Sequence, residues 1–180
     1  MQHDSPAASD PTERQLIRDP YITMFWDPAL LDDTVGRLHS RGYDVRTTDA
    51  AAWTDQYAMH RALASLLDFP GYYGNNLDAL NDCLSDVAGG GYGPDASSTG
   101  LVLVLVHFDR FAAAHAEVAF ALLDIFAVQA RDAALWRHPM VCLVQSDDPE
   151  LSIPPVGARP VMWNGAEWLR SRRGGERTEA

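Results

Sequence analysis

The sequence predicts an α/β domain in which helices flank a mainly parallel central sheet. Segments with strand character alternate with segments of helical periodicity, which is the order that parallel sheets require. Two strands, Leu101–His107 and Met140–Gln145, are apolar along most of their length, which is typical of strands covered on both faces. The 180 residues, with an apolar fraction of 47%, suffice for one core. We expect three core strands plus extra edge strands.

The first predicted elements are one strand and one helix. Residues 1–19 are polar and contain prolines and charges, so we expect a disordered tail. Tyr21–Phe25 has strand character. Asp27 followed by Pro28 fits an N-cap and a first helical residue, and leucines then recur at helical spacing until Gly42.

A second strand and two further helices follow. Tyr43–Thr47 is a short predicted strand, and a helix is expected over about 54–69, ended by Pro70. The next helix should occupy about 75–87. Residues 88–100 are rich in glycine and serine and predict a flexible loop, because such residues cannot build a core.

The C-terminal part contains the long helix and the last strands. An alanine-rich helix is predicted from about Ala113 to Leu135, between the two buried strands. The proline-rich stretch Pro149–Pro160 leads to a short strand at Val161–Trp163 and a helical turn near Glu167. The predicted organisation is a tail at 1–19, a single domain at 20–170 and a second tail at 171–180.

Composition excludes several classes of function. The net charge of −11 argues against nucleic acid as a direct partner, because phosphate binding needs a basic surface. All fourteen basic residues are arginines, so neither a Walker phosphate loop nor a lysine Schiff base can form. The longest apolar run, Leu101–Val106, is too short to span a bilayer, and we expect no membrane partner.

Cysteine content and the N-terminus predict a cytoplasmic location. Cys83 and Cys142 are too few for a disulfide framework, and the first residues lack the apolar run of a signal peptide. Both thiols are expected to be free, although the residues alone leave a bridge between them open.

The middle of the chain carries charge of one sign. Residues 62–109 contain six aspartates and neither arginine nor lysine. In the predicted helix the leucines fall in one quadrant, and Asp78, Asn81, Asp82 and Ser85 fall on the opposite side. Asp78 and Asp82 are four residues apart and stack on one face. The pattern alone favours a solvated surface, and a cationic partner is the alternative.

The segment 70–84, PGYYGNNLDALNDCL, resembles the barstar family of intracellular ribonuclease inhibitors. The string YYGxNLDALxDCL is specific, and the similarity covers about residues 43–146, leaving 20–42 as an added strand and helix and 147–170 as a C-terminal extension. The resemblance implies a three-layer fold without catalytic activity or cofactor. It also implies a 1:1 complex in which a chain that is monomeric when free plugs the cleft of a cationic ribonuclease, protecting the producing cell from a toxin.

The resemblance also implies which residues contact the partner. Asp82 is the expected hot spot, Asp78 should support it, and Tyr72 should pack near the cleft. The other expected contacts are Gly74, Asn76, Asn81, Ser85 and Asp132.

Three positions depart from the family pattern. Asn81 and Val87 stand where the prototype has tryptophans, and Val128 stands where it has a contacting glutamate, with Asp132 nearby. These changes bear on the identity of the partner more than on the mode of binding.

Two other functions stay open. The same scaffold could bind a partner that is not a ribonuclease, or Asp78 and Asp82 could form a catalytic acid pair in a hydrolase. No nucleophile accompanies that pair, and the six histidines lack metal-ligand spacing, so we expect no catalytic residue and no metal site.

The remaining aromatic residues and histidine are interpreted as structural. We expect His60 to lie on a helix surface or in packing, and Tyr73 to support the loop from within. The tryptophans assigned to packing are Trp53, Trp136, Trp163 and Trp168.

Overall fold

The structure is a computed structural model that describes residues 16, 18, 20–95, 97–136 and 138–167. Over these ranges the chain forms five strands and five α-helices. The strands are β1 (Ile22–Phe25), β2 (Asp44–Asp49), β3 (Leu101–Val106), β4 (Met140–Gln145) and β5 (Met162–Trp163). The helices are α1 (Pro28–Ser40), α2 (Gln56–Leu66), α3 (Leu77–Ala88), α4 (Phe108–Ala114) and α5 (Ala116–Leu135).

The strands form one sheet in the order β2-β3-β4-β1-β5, and every pairing is parallel. The three predicted core strands therefore adjoin one another as β2, β3 and β4, and β1 and β5 extend the sheet beyond β4. Short 3-10 turns follow β2 and β5, at Ala50–Ala52 and Gly165–Glu167.

Alternation along β3 separates two cores. Leu101, Leu103 and Leu105 enter the larger cluster with α2 to α5, whereas Val102 and Val104 enter the smaller cluster with α1. The same alternation runs along β4, so both central strands are buried on both faces. This confirms the α/β prediction and the three-layer arrangement, with α1 on one side of the sheet and α2 to α5 on the other.

The predicted long helix is interrupted. The structure has α4 and α5 with His115 between them, at φ −139° and ψ 52°, which is outside the helical region. No glycine or proline marks the break. Tertiary packing explains it, because Phe111 of α4 packs edge-on against Trp53, with ring centroids 5.1 Å apart, while α5 packs on α3.

Several single-residue predictions can be compared with the structure. Trp53 is buried, as expected, but Trp136 is 73% exposed, so its assignment to packing was wrong. Cys83 and Cys142 are both buried and free. Leu16 is buried in the smaller core cluster, which differs from the predicted disorder at that residue.

Some predictions fall where the structure gives no description. The rest of the 1–19 segment except Arg18, as well as Trp168 and the tail at 171–180, lies outside the described residues. Within the described residues, none of the helices has the length and apolar character needed to cross a bilayer.

The described residues of the glycine-rich segment 89–100 form neither helix nor strand, but specific hydrogen bonds hold the segment to the domain. Arg46 of β2 makes a bidentate contact with Asp44, at 2.8 and 3.0 Å, and also donates to the carbonyl oxygens of Leu66 (3.0 Å) and Gly93 (3.2 Å). This hydrogen bonding to the guanidinium holds the pKa of the Asp44 carboxyl below its usual value. One guanidinium thus joins β2, the end of α2 and the loop.

We expect Arg46→Lys to lower the free energy of unfolding by roughly 1–3 kcal/mol, because an ammonium cannot reproduce the fork, which reaches acceptors on Asp44, Leu66, Asp68 and Gly93. Urea unfolding measures the effect. The control is Arg110→Lys, which alters an exposed ion pair to Asp147 at 3.1 Å and should cost less than about 1 kcal/mol. Equal losses in the two variants would contradict this role for Arg46.

Candidate functional site

Two asparagines determine how the chain enters α3. The Asn76 side chain accepts a hydrogen bond from the Ala79 backbone N–H at 2.8 Å and so caps the helix. Asn75 has a positive φ of 50°, in the left-handed region that asparagine tolerates, and its amide donates to the Tyr73 carbonyl at 3.3 Å. The loop before the helix is therefore fixed in shape.

The two tyrosines of this loop point in opposite directions. Tyr72 is 80% exposed, whereas Tyr73 is buried and its hydroxyl forms a short hydrogen bond with Nδ1 of His60. Phe69 packs edge-on against the Tyr73 ring, with centroids 4.9 Å apart. The prediction that Tyr73 supports the loop is confirmed, and His60 proves to be a fully buried packing residue. Tyr73 anchors the loop that presents Tyr72.

The burial of His60 beneath this loop makes the stability of the fold depend on pH. Burial lowers the pKa of His60, so the folded chain resists its protonation, whereas the unfolded chain accepts the proton near pH 6.5. Below that pH the unfolded state binds more protons. Stability therefore falls as pH falls from about 6.5 toward the folded-state value. Carboxyl groups whose pKa is lowered in the folded chain, such as Asp44, reduce the free energy of unfolding only below about pH 4, where the unfolded chain binds their protons first.

We expect the urea midpoint to decline between pH 7 and pH 5, and the decline to be shallower in His60→Gln. The same substitution at the exposed His39 of α1 is the control and should retain the wild-type profile. A midpoint that stays level over this range in the wild-type chain would contradict the assignment.

The exposed side of α3 carries the predicted carboxylates. Leu80, Leu84 and Val87 are buried in the larger core, whereas Asp78 and Asp82 are exposed. Among the described residues, no ion pair joins either aspartate to a basic side chain. Asp78 lies in the first turn, where the helix dipole favours a negative charge.

Ser85 and Asp86 complete this surface. Both are exposed and share the outward arc of α3 with Asp82, so the acidic face of α3 is defined here as Asp78, Asp82, Ser85 and Asp86. Asp86 was not singled out from the sequence, although its four-residue spacing from Asp82 gives the signal. The Tyr92 hydroxyl lies 3.3 Å from its carboxylate and 3.2 Å from the Cys83 carbonyl, which ties the glycine-rich loop to the helix.

Asn81 lies differently from the other predicted contacts. It is half-buried, and its side-chain oxygen accepts a hydrogen bond from Nε2 of Gln129 on α5 at 2.8 Å. Gln129 is buried, and its Oε1 has no hydrogen-bond partner among the described residues. Asn81 therefore belongs to the seam between α3 and α5, beside the acidic face rather than on it.

The outward side of α5 continues the surface beyond this seam. Asp132 is exposed and Val128 is 39% exposed, one turn apart on the helix. Gly74 and Asn76 are exposed at the other end, in the loop before α3. The predicted contacts thus lie on α3, on the loop before it and, for Asp132, on α5, which packs against α3, while Asn81 is recessed at the seam between the two helices.

This arrangement suits recognition better than catalysis. A general acid or base acts on a reacting group held within hydrogen-bond reach, usually in a cleft, whereas Asp78 and Asp82 are open to solvent on a helix surface. No cluster of three or more His, Cys, Asp or Glu side chains that could hold a metal ion occurs within the described residues.

Comparisons with known proteins point to one family. The family model described as Barstar (barnase inhibitor) matches residues 43–145, which include β2, β3, β4 and the whole acidic face of α3. No curated protein matches the chain. A chain in the structure of Drosophila ORC bound to AT-rich DNA and Cdc6 is 14% identical, with a TM-score of 0.48.

That alignment covers 77% of this chain and 44% of the other, so this chain spans less than half of the length of that protein. At this identity and TM-score, the alignment supports no statement about the function of this chain. The family match, in contrast, covers more than half of the chain and includes β2, β3 and β4 of the sheet as well as α3. The chain belongs to the Barstar (barnase inhibitor) family.

Proposed function

We propose that this protein inhibits a cationic ribonuclease by inserting α3 and the preceding tyrosine loop into its catalytic cleft. One observation carries the proposal: Asp78 and Asp82 stand exposed on a capped helix, without an ion pair to any described basic residue, beside a tyrosine that is 80% exposed. The family match supports the class of partner, since its description names an inhibitor of barnase.

The chemistry of the acidic face fits a site that binds phosphate. A ribonuclease cleft uses arginine, lysine and histidine side chains to hold RNA phosphates. A carboxylate at a phosphate position can accept the same charge-assisted hydrogen bonds, and the fixed helix keeps the ordering cost low. The net charge of −11 would also steer a cationic protein toward this surface, so association should slow as salt rises.

The biological role that follows is protection of the producing cell. The inhibitor would act in the cytoplasm, as a monomer that forms a 1:1 complex with the ribonuclease before the toxin reaches cellular RNA. In this role the protein is a binding partner and no enzyme. The contacts that we assign to the complex are Tyr72, Gly74, Asn76, Asp78, Asn81, Asp82, Ser85 and Asp132.

Competition in the cleft tests this proposal. Isothermal titration calorimetry of the full chain against barnase and other cationic ribonucleases should find 1:1 binding to at least one of them. A mononucleotide inhibitor of that ribonuclease should weaken the apparent affinity in proportion to its occupancy of the cleft. Binding that is indifferent to the nucleotide would place the chain elsewhere on the ribonuclease and overturn cleft blockade.

A partner that is not a ribonuclease is the second candidate. The recessed Asn81, held by Gln129, and the apolar Val128 favour it, because both positions differ from the family pattern at the binding surface. Failure of every ribonuclease in the panel to bind, with retained binding to another cationic protein, would favour this reading.

A further inference from the structure

A pocket opens where α3 and α5 end side by side. Its volume is about 460 Å³, and its lining includes Ala88, Gly89 and Gly90 from the end of α3 and Trp136 from the end of α5. Gly89, Gly90 and Trp136 are exposed, so the pocket is open to a partner, and it lies at the C-terminal end of the helix that carries the acidic face. None of these residues belongs to the contacts assigned above.

The two helices reach the pocket together because they run parallel. Each connects parallel strands of one sheet, and both lie in the same helical layer. Asn81 and Gln129 are joined across the seam at 2.8 Å, and seven residues further along each helix come Ala88 and Trp136, which both line the pocket. Two helix C-termini therefore meet there, and each carries a partial negative charge that favours a cation.

The side chains at the pocket strengthen that preference. Trp136 is 73% exposed, which is unusual for so large an apolar surface, and an indole face attracts guanidinium and ammonium groups. Asp132 lies one turn earlier on α5 and is also exposed, so a carboxylate and an indole are neighbours on the helix surface.

Two polar groups near the pocket already have partners within the chain. The guanidinium of Arg131 donates to the Gly157 carbonyl at 3.0 Å. His138, which lines the pocket, has its Nε2 3.1 Å from the Ser98 hydroxyl. At the helix ends, the carbonyls of Ser85, Asp86 and Val87 accept hydrogen bonds from the glycines after α3, and the Ala133 carbonyl accepts from Trp136 and His138. The exposed Trp136 indole stays open to a ligand.

We propose that this pocket binds an arginine or lysine side chain of the cationic partner, as a second contact site centred on Trp136. This inference rests on the proposed function, because it assigns the pocket to the same partner. Gly89 is seven residues beyond Asp82, about 10 Å along the helix, which is well within one standard interface. A partner that covers the acidic face would therefore also reach the pocket.

A small cation tests the pocket without the partner. The probe is N-acetyl-arginine amide, and its matched control is N-acetyl-citrulline amide, which has nearly the same shape and no charge. Titrations of the full chain are followed by ¹H–¹⁵N NMR at the Trp136 indole and at the Gly89 and Gly90 amides. We expect the arginine compound to shift these signals and the citrulline compound to leave them in place.

Variants separate the pocket from the acidic face. Trp136→Ala should remove the response of Gly89 and Gly90 while the signals of Asp78 and Asp82 still respond to the probe. Leu135→Ala removes an equally exposed neighbour, and the pocket response should survive it. Equal shifts by the two compounds, or shifts confined to the acidic face, would overturn the proposal. Line broadening at Trp136 that grows with protein concentration would assign the pocket to a second copy of the chain and overturn it as well.

The complex then tests the assignment to the partner. With the ribonuclease identified by calorimetry, Trp136→Ala should weaken binding about two- to fivefold, the range expected of an exposed cation–π contact. Unchanged affinity would remove the pocket from the complex. Failure of the ribonuclease proposal looks different, because no ribonuclease would bind the wild-type chain while the arginine compound still shifted Trp136.

Discussion

Asp82→Ala is expected to weaken binding to the ribonuclease by about 2–5 kcal/mol, the loss that follows when one partner of a desolvated charged pair is removed. The exposed Asp82 makes no ion pair with another described residue, so the substitution removes no such stabilising contact from the unbound protein. The change also removes the repulsion from Asp78 one turn away, so thermal stability should stay level or rise slightly. Calorimetry and thermal unfolding of the same samples measure both.

The control for this variant is Asp32→Ala on α1. Asp32 is also exposed, but α1 covers the opposite face of the sheet, so this change removes the same charge away from the acidic face. It should slow association only slightly and leave the dissociation rate unchanged. Similar losses of affinity in the two variants would mean that net charge, rather than Asp82 itself, drives binding.

Leu80→Ala should lower the free energy of unfolding by about 2–5 kcal/mol, because it leaves a cavity under α3. Leu80 is fully buried in the larger core, where it packs α3 against the rest of the domain. The affinity for the ribonuclease should also fall, since the loosened helix presents Asp78 and Asp82 less rigidly. Urea unfolding and calorimetry report the two effects.

Leu135→Ala makes the same chemical change at a side chain that is 79% exposed. It should alter stability by no more than about 0.5 kcal/mol. Comparable losses at Leu80 and Leu135 would contradict the packing described for α3.

The sequence predicted α3 closely because its signals are local. The helix was expected over about 75–87 and spans Leu77–Ala88, with Asn76 as its N-cap. Leucine spacing placed the buried face correctly, and the aspartates follow on the other side. The apolar runs of β3 and β4 likewise indicated strands covered on both faces, which the two core clusters confirm.

The features that the sequence did not reveal depend on contacts between distant segments. The break at His115 has no glycine or proline to announce it, and it results from the packing of α4 on Trp53. The recessed position of Asn81 depends on Gln129, which is 48 residues away in the chain. The exposure of Trp136 depends on where α5 ends relative to the loop beside it, and composition alone favoured burial.

These observations connect the fold to the proposed inhibition. The parallel sheet and its larger core fix α3 by its leucines, the two asparagines fix the loop before it, and Tyr73 with His60 anchors that loop from inside. What faces solvent is a rigid acidic face with one exposed tyrosine. Rigidity matters because a carboxylate that is already in place gives up little entropy on binding.

The most direct test of the central claim is a titration of ribonuclease activity with this protein. RNA hydrolysis by the ribonuclease that binds should fall linearly and reach zero at one equivalent of the wild-type chain, while one equivalent of Asp82→Ala should leave measurable hydrolysis at nanomolar concentrations. Full RNA hydrolysis by a ribonuclease that calorimetry shows to be saturated with the wild-type chain would contradict blockade of the cleft by α3.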